Sequence, residues 1–194
     1  HNRSYEDPAA LDLVHELAEA FQYYLISSSV QLAVEKGNGH GNPNPGYCDG
    51  FKNTKYAAGV LPIDTYKKEV DDLTPPIYKL DWEHLRKQVV KFGMRHSTLT
   101  AQMPSESSSV VCNATNGIEP PRDFLSVKKS KKGTLKQIVP GYTSLKNQYT
   151  LLWDMENMDG YLNIMAVIQK FFDQAISTNT SYNPQHYEGG EVPA

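Results

Sequence analysis

The sequence predicts an α/β protein, rich in helix and incomplete as an independent sheet. Apolar residues recur at helical spacing in several stretches, and isolated β-leaning runs fall between them. No internal repeat or linker divides the chain. Two or three single strands and one hairpin make a poor sheet alone, so these strands are expected to pair elsewhere.

The first element opens at Asp7-Pro8, where Asp can cap free N–H groups and Pro fits the first helical position. Leu11, Val14, Ala18, Phe21, Leu25 and Leu32 then mark an apolar face until Gly37 stops the helix. Residues 38–50, rich in Gly, Asn and Pro, predict a loop insertion at the surface. Pro62 to Leu73 predicts a short helix, closed by Thr74-Pro75-Pro76. Asp81 caps another, with Trp82, Leu85, Val89 and Phe92 on one face and Gly93 at its end. Met94 to Met103 predicts a buried strand. Leu125–Val127 and Leu135–Val139 predict a hairpin turned by Lys131-Lys132-Gly133. Helices are then expected over 143–153 and 159–174, the second showing Tyr161, Ile164, Ile168 and Phe171 at helical spacing. A polar strand from Ala175 to Tyr182 ends at Asn183-Pro184.

Composition narrows the function classes. The chain of 194 residues is 39% hydrophobic and 21% charged. Nothing in it approaches the roughly 18 uninterrupted apolar residues that a membrane span needs. Nineteen Lys and Arg against 22 Asp and Glu leave a net charge of −3, with a pI near 6.1. No whole-chain positive field therefore exists to hold nucleic acid. Cys48 and Cys112 are too few for a disulfide framework and lack metal-ligand spacing, which fits a reducing, cytoplasmic setting. The opening His1-Asn2-Arg3-Ser4 reads as that of an excised piece or processed product. The sequons at Asn2, Asn113 and Asn179 are expected to be chance.

Several motifs have ordinary readings. His15-Glu16-Leu17-Ala18-Glu19 nearly matches His-Glu-x-x-His, but Glu19 replaces the second imidazole, so a solvated helix face is expected. Ser126-Val127-Lys128-Lys129 fits Ser-x-x-Lys without its companion motifs and reads as a surface strand. Lys128, Lys129, Lys131 and Lys132 read as a solvated hairpin tip. The two cysteines are expected to be buried or incidental thiols.

Pro104-Ser105-Glu106-Ser107-Ser108-Ser109 stands apart. It follows an expected strand, begins with a helix-compatible Pro and carries small hydroxyl residues. A strand leading into a helix N-terminus presents free backbone N–H groups to which a phosphate or diphosphate can bind. The same serines could instead be only a helix cap, and the residues alone favour neither. Asn113 to Arg122 follows as a tightly specified turn, with Glu119 and Arg122 available to a polar site.

The run Ser97-Thr98-Leu99-Thr100-Ala101-Gln102-Met103-Pro104-Ser105-Glu106-Ser107-Ser108, followed by Asn113 to Arg122, resembles the large (alpha) subunit of class I, aerobic ribonucleotide reductases. Gly59 to Tyr66 resembles that family's segment upstream. Gly160-Tyr161-Leu162, Gln169-Lys170-Phe171 and Ser177 to Tyr182 resemble segments downstream. Together these cover nearly the whole chain in family order. The resemblance implies a segment, residues 1–194, of a ten-stranded α/β barrel, with 104–122 as the substrate-phosphate loop and following turn. It implies an oxidoreductase that replaces the ribose 2′-hydroxyl of ribonucleoside diphosphates by hydrogen through radical chemistry, supplying deoxyribonucleotides. The diphosphate-binding role falls on Ser105, Glu106, Ser107 and Ser108, with Pro104 beside the nucleoside.

The family's radical cysteine and cysteine pair match neither Cys48 nor Cys112, and Tyr23-Tyr24 lies in the wrong context for its radical-transfer tyrosines. No catalytic residue or metal ligand is therefore assigned here. The resemblance implies a C-terminal-half piece of the barrel that does not turn over alone. Its partners would be the remainder of the large subunit and a radical-generating, metal-containing small subunit. A thiol reductant would complete the system, while no cofactor, membrane or nucleic acid is expected on this chain. The alternatives are a non-catalytic helical interaction module without a nucleotide site and, less economically, a secreted glycoprotein bridged by Cys48 and Cys112.

Overall fold

The computed structural model describes residues 3–37, 46–130 and 133–183. Along the chain run helices α1 (Pro8–Lys36), α2 (Pro62–Thr65), α3 (Trp82–Phe92) and α4 (Glu106–Val111), then strands β1 (Leu125–Ser130) and β2 (Gly133–Ile138). Helices α5 (Tyr142–Leu145) and α6 (Asp159–Gln169) follow, and 3-10 turns occupy several connections. The described residues hold a two-stranded sheet and no closed barrel. They form two compact units, one of residues 7–101 and 163–176, the other of residues 1–6, 102–162 and 177–194. Among them no helix is long and apolar enough to cross a membrane.

The first unit is organised on α1. Asp7 accepts the Ala9 N–H at 2.9 Å, and Gly37 returns its N–H to the Ala33 carbonyl at 3.0 Å, as the sequence leads one to expect. The buried face differs from the expected one. Leu11 and Ala18 are buried, but Phe21 is 55% and Leu32 38% exposed. Ile26, Val30 and Ala33 point inward instead, together with His15, Glu19, Gln22 and Ser29. A helix with apolar residues on both sides does not reveal its inner face by periodicity.

Hydrogen bonds hold Glu19, Gln22 and Ser29 inside, since an unpaired buried polar group is costly. Glu19 accepts from the N–H groups of Lys79 at 3.0 Å and Leu80 at 3.1 Å, and from Trp82 Nε1 at 3.0 Å. The expected solvated face around His15 and Glu19 is thus corrected: only Glu16 of the near-motif's charged positions is exposed. Gln22 donates to Tyr56 Oη at 3.0 Å and to Asp173 Oδ1 at 2.9 Å, and accepts from Thr100 Oγ1 at 2.9 Å. Asp173 also accepts from Tyr56 Oη and from the backbone N–H groups of Leu99 and Thr100. These bonds explain why 94–103 is not the expected strand. Asp173 takes backbone donors that a neighbouring strand would otherwise take, while the Thr100 carbonyl accepts the Gln174 N–H at 3.2 Å.

Lys170 is fully buried, with Nζ 2.9 Å from Asp71 Oδ1 and 4.5 and 5.1 Å from the ring centres of Tyr66 and Tyr78. Burial pushes the Asp71 carboxyl up, but hydrogen bonds from Lys170 and Tyr66 outweigh it and hold the pKa below the ordinary value. The inward turn of Asp71 accompanies a break in the helix expected over 62–73. Helix α2 ends at Thr65, and a 3-10 turn, Lys68–Asp72, follows.

Helix α3 meets expectation. Asp81 accepts the His84 N–H at 2.8 Å, and Trp82, Leu85 and Val89 pack into a core with Ile26, Val30, Phe51, Leu61 and Phe171. Gly93 ends it at φ 74°, where an added Cβ would lie 2.7 Å from the Tyr47 side chain. Both the backbone angle and the space therefore require glycine. Cys48 is half-buried against this core, and Cys112, in the other unit, is exposed; both thiols are free. Of the expected loop insertion, 38–45 lies outside the described residues, and its last two residues begin a 3-10 turn, Asp49–Asn53.

His15 lies between Tyr78, stacked with centroids 6.0 Å apart, and Phe171, edge-on at 4.9 Å. Its Nε2 is buried without a hydrogen-bond partner. Burial lowers its pKa, and Lys170 adds to the effect. The folded state therefore takes up this proton less readily than the unfolded chain. The resulting stability is complete above the ordinary histidine value, about 6.5, and is lost as pH falls through the lowered one. Urea midpoints are expected to fall between pH 7.5 and 5.5, with a shallower fall in His15→Phe.

In the second unit β1 and β2 form the expected antiparallel hairpin, in register from Leu125↔Ile138 to Ser130↔Gly133. Lys131 and Lys132 of its turn lie outside the described residues. Ser126 and Lys129 are exposed, consistent with a surface strand. The helix expected over 143–153 is broken. Helix α5 gives way to 3-10 turns, Lys146–Gln148 and Leu152–Asp154, as Tyr149 Oη donates to the Pro140 carbonyl at 2.8 Å and Leu152 N–H to Pro121 at 2.9 Å. Helix α6 stops at Gln169, short of 174, where the Gln169 side chain bonds the Gln174 carbonyl and the Ile176 N–H. The strand expected from 175 to 182 does not form a ladder; within the second unit Ser177 N–H donates to the Gln102 carbonyl at 3.0 Å.

Candidate functional site

The serine segment lies wholly in the second unit. Pro104 is exposed, Ser105 is half-buried, and Ser107 and Ser108 are exposed at the start of α4. Ser109 is buried. The Glu106 side chain lies outside the described residues. Ser105 occupies the N-cap position but makes no side-chain cap: its Oγ turns back to the Met103 carbonyl at 3.4 Å. A serine cap would have sent that oxygen to an N–H of the first turn. Helix α4 is only six residues long and, contrary to expectation, is not preceded by a strand.

Two concavities border this segment. A cleft of about 310 Å³ is lined by Ser105, Ser108 and Cys112 together with Thr115, Gly117 and Ile118. A larger one, about 560 Å³, takes in Pro104, Asn116, Glu119, Arg122 and Asn179 beside the hairpin. The turn from 113 to 119 bends through two left-handed residues, Asn113 at φ 50° and Gly117 at φ 75°. Asn tolerates that region and Gly favours it. Gln137 of β2 donates to the Ala114 carbonyl at 3.0 Å, and Asn179 Nδ2 to Glu119 Oε1 at 2.6 Å. The two segments that the sequence singled out, 104–109 and 113–122, thus come together around one pair of clefts.

Behind the turn, Tyr5 Oη donates to the Ile118 carbonyl at 2.6 Å, while its ring packs edge-on against Tyr161 at 6.1 Å. Tyr161 is fully buried, and its hydroxyl is 2.5 Å from Thr178 Oγ1. Burial, with Tyr161 and Glu119 adding to it, raises the Tyr5 pKa to about 12, so its hydroxyl remains a donor at neutral pH. Sequence reasoning missed Tyr5, because one aromatic residue outside any periodic run gives no signal. Among the described residues no group of three or more His, Cys, Asp or Glu side chains could hold a metal ion.

A family model described as the ribonucleotide reductase barrel domain matches residues 1–192. The ribonucleoside-diphosphate reductase subunit alpha of Haemophilus influenzae is 53% identical over 189 residues, covering 97% of this chain and 24% of that protein. The Escherichia coli reductase 1 subunit alpha is 48% identical over 193 residues, 100% of this chain and 24% of its own length. The subunit of phage T4 is 45% identical over 192 residues, with shares of 98% and 24%. The chain therefore spans about a quarter of the length of these curated relatives.

Proposed function

From the premise that the chain belongs to the ribonucleotide reductase barrel-domain family, we propose that it supplies the substrate diphosphate-binding loop of a ribonucleoside-diphosphate reductase large subunit. Ser105, Glu106, Ser107 and Ser108 receive the diphosphate, and Pro104 lies beside the nucleoside. The observation that carries this reading is the uncapped serine at the head of α4, whose hydroxyl leaves the first-turn N–H groups to another acceptor. Such groups suit a phosphate. The shared cleft with Gly117 and Ile118 supports it further. The remainder of the large subunit would supply the cysteines and radical-transfer tyrosines, and a metal-containing small subunit the radical. A thiol reductant would regenerate the dithiol. The chain alone is then inactive.

Diphosphate binding by the complete large subunit tests the loop. Ser107→Ala removes a hydroxyl hydrogen bond worth roughly 0.5–1.5 kcal/mol, or up to about 3 kcal/mol with a charged partner. Ser107 is the second residue of α4, so its N–H has no acceptor one turn earlier in the helix. Ser107→Pro therefore deletes a ligand donor at limited cost to the helix and is expected to bind worse than Ser107→Ala. Ser108→Asp adds a charge that repels the diphosphate and competes for the helix end. Equal binding of cytidine diphosphate by the parent, Pro and Asp forms would reduce the serines to a helix start.

A further inference from the structure

We infer that Tyr5 is a positioning residue for the serine cleft: its hydroxyl, bound to the Ile118 carbonyl, sets the wall that faces Ser105 and Ser108. This inference rests on the diphosphate reading of that cleft and names a residue outside it. The hydrogen bond is 2.6 Å long and joins positions 113 residues apart. Ile118 and its neighbour Gly117 line the same cleft as Ser105 and Ser108, so Tyr5 acts on the cleft from behind. The next residue, Glu119, is held independently by Asn179 at 2.6 Å. Two adjacent residues of the turn are thus fixed from outside, where Gly117 gives the backbone unusual freedom.

The seat of Tyr5 is equally specific. Its ring meets Tyr161, and its backbone passes so close to Gly160 that an added Cβ there would lie 2.9 Å from the Tyr5 carbonyl carbon and oxygen. That clash is with backbone, which cannot swing aside as a side chain would. Gly160 therefore admits Tyr5, Tyr161 orients it, and the Ile118 carbonyl accepts its hydrogen bond. The hydroxyl stays protonated at neutral pH, as burial pushes its pKa up to about 12. Tyr5 does not line this cleft, so its effect is on geometry and not on chemistry.

Steady-state kinetics of the complete large subunit with its small subunit, using cytidine diphosphate, supplies the test. Tyr5→Phe keeps the ring and loses only the hydroxyl. It is expected to raise KM about fivefold to tenfold, with kcat retained and an unchanged melting temperature. Gly160→Ala keeps the hydroxyl but displaces its backbone, and is expected to raise KM in the same direction. Ser107→Pro is the control on the cleft. If it raises KM while Tyr5→Phe leaves KM at the parent value, the role of Tyr5 is overturned and the loop reading stands. If all three variants match the parent, both fall. A loss of melting temperature in Tyr5→Phe without a change in KM assigns the hydroxyl to stability alone, and a loss of kcat without a change in KM places its effect on turnover and not on the cleft; either result overturns the inference.

Discussion

Asp71→Ala is expected to lower the stability of the first unit by about 3–5 kcal/mol, because it strands the fully buried ammonium of Lys170. Removing the partly exposed counterion of a fully buried ammonium costs far more than the pair contributes, since the remaining charge is left without a partner. The surrounding Tyr66, Tyr78 and Phe171 rings soften the loss but offer no full negative charge. The double variant Asp71→Ala with Lys170→Met is the informative comparison. It removes the stranded charge and should recover a substantial part of the deficit. Urea unfolding followed by tryptophan fluorescence reads both, as Trp82 stacks on Phe171 at 6.3 Å. A double variant no more stable than Asp71→Ala would show that lost packing, and not the unpaired charge, is responsible.

Glu19→Ala is expected to cost about 2–4 kcal/mol by a different route. It leaves the N–H groups of Lys79, Leu80 and Trp82 without their acceptor at a nearly water-free position. Glu19→Gln retains one acceptor oxygen but brings an amide N–H₂ toward donors, and should fall between alanine and the parent. Glu16→Gln, one turn earlier and exposed, removes only a surface pair with Lys79 and should change stability by less than about 1 kcal/mol. Near-equal unfolding energies for Glu16→Gln and Glu19→Ala would contradict the burial of Glu19.

That contrast shows where the sequence was readable. Caps and stops are local chemistry, so Asp7-Pro8, Gly37, Asp81 and Gly93 marked real helix ends. The hairpin was readable for the same reason: alternating residues around a glycine-bearing turn need no distant information. The inner face of α1 was not, because the partners that permit Glu19 and Gln22 inside lie from 34 to 151 residues away. Residues 94–103 looked like a strand because their composition is that of one. What decides their form is Asp173, whose carboxylate stands where a neighbouring backbone would. At the candidate site, 104–109 and 113–122 drew notice through their density of serine, asparagine, glycine and proline. Tyr5 and Gly160 act on the site through single contacts, and spacing carries no trace of those.

The Asp173 network also has a timetable. Gln22 and Asp173 are 151 residues apart, yet share a hydrogen bond of 2.9 Å. At roughly 5–20 residues per second of synthesis, Gln22 waits on the order of 8–30 seconds for its acceptor to be made. Throughout that interval α1 has a polar notch in its inner face that no earlier segment fills completely. Tyr56 arrives sooner, but its own hydroxyl also ends on Asp173. The nascent first unit therefore cannot close its interior until nearly the last of its residues has left the ribosome.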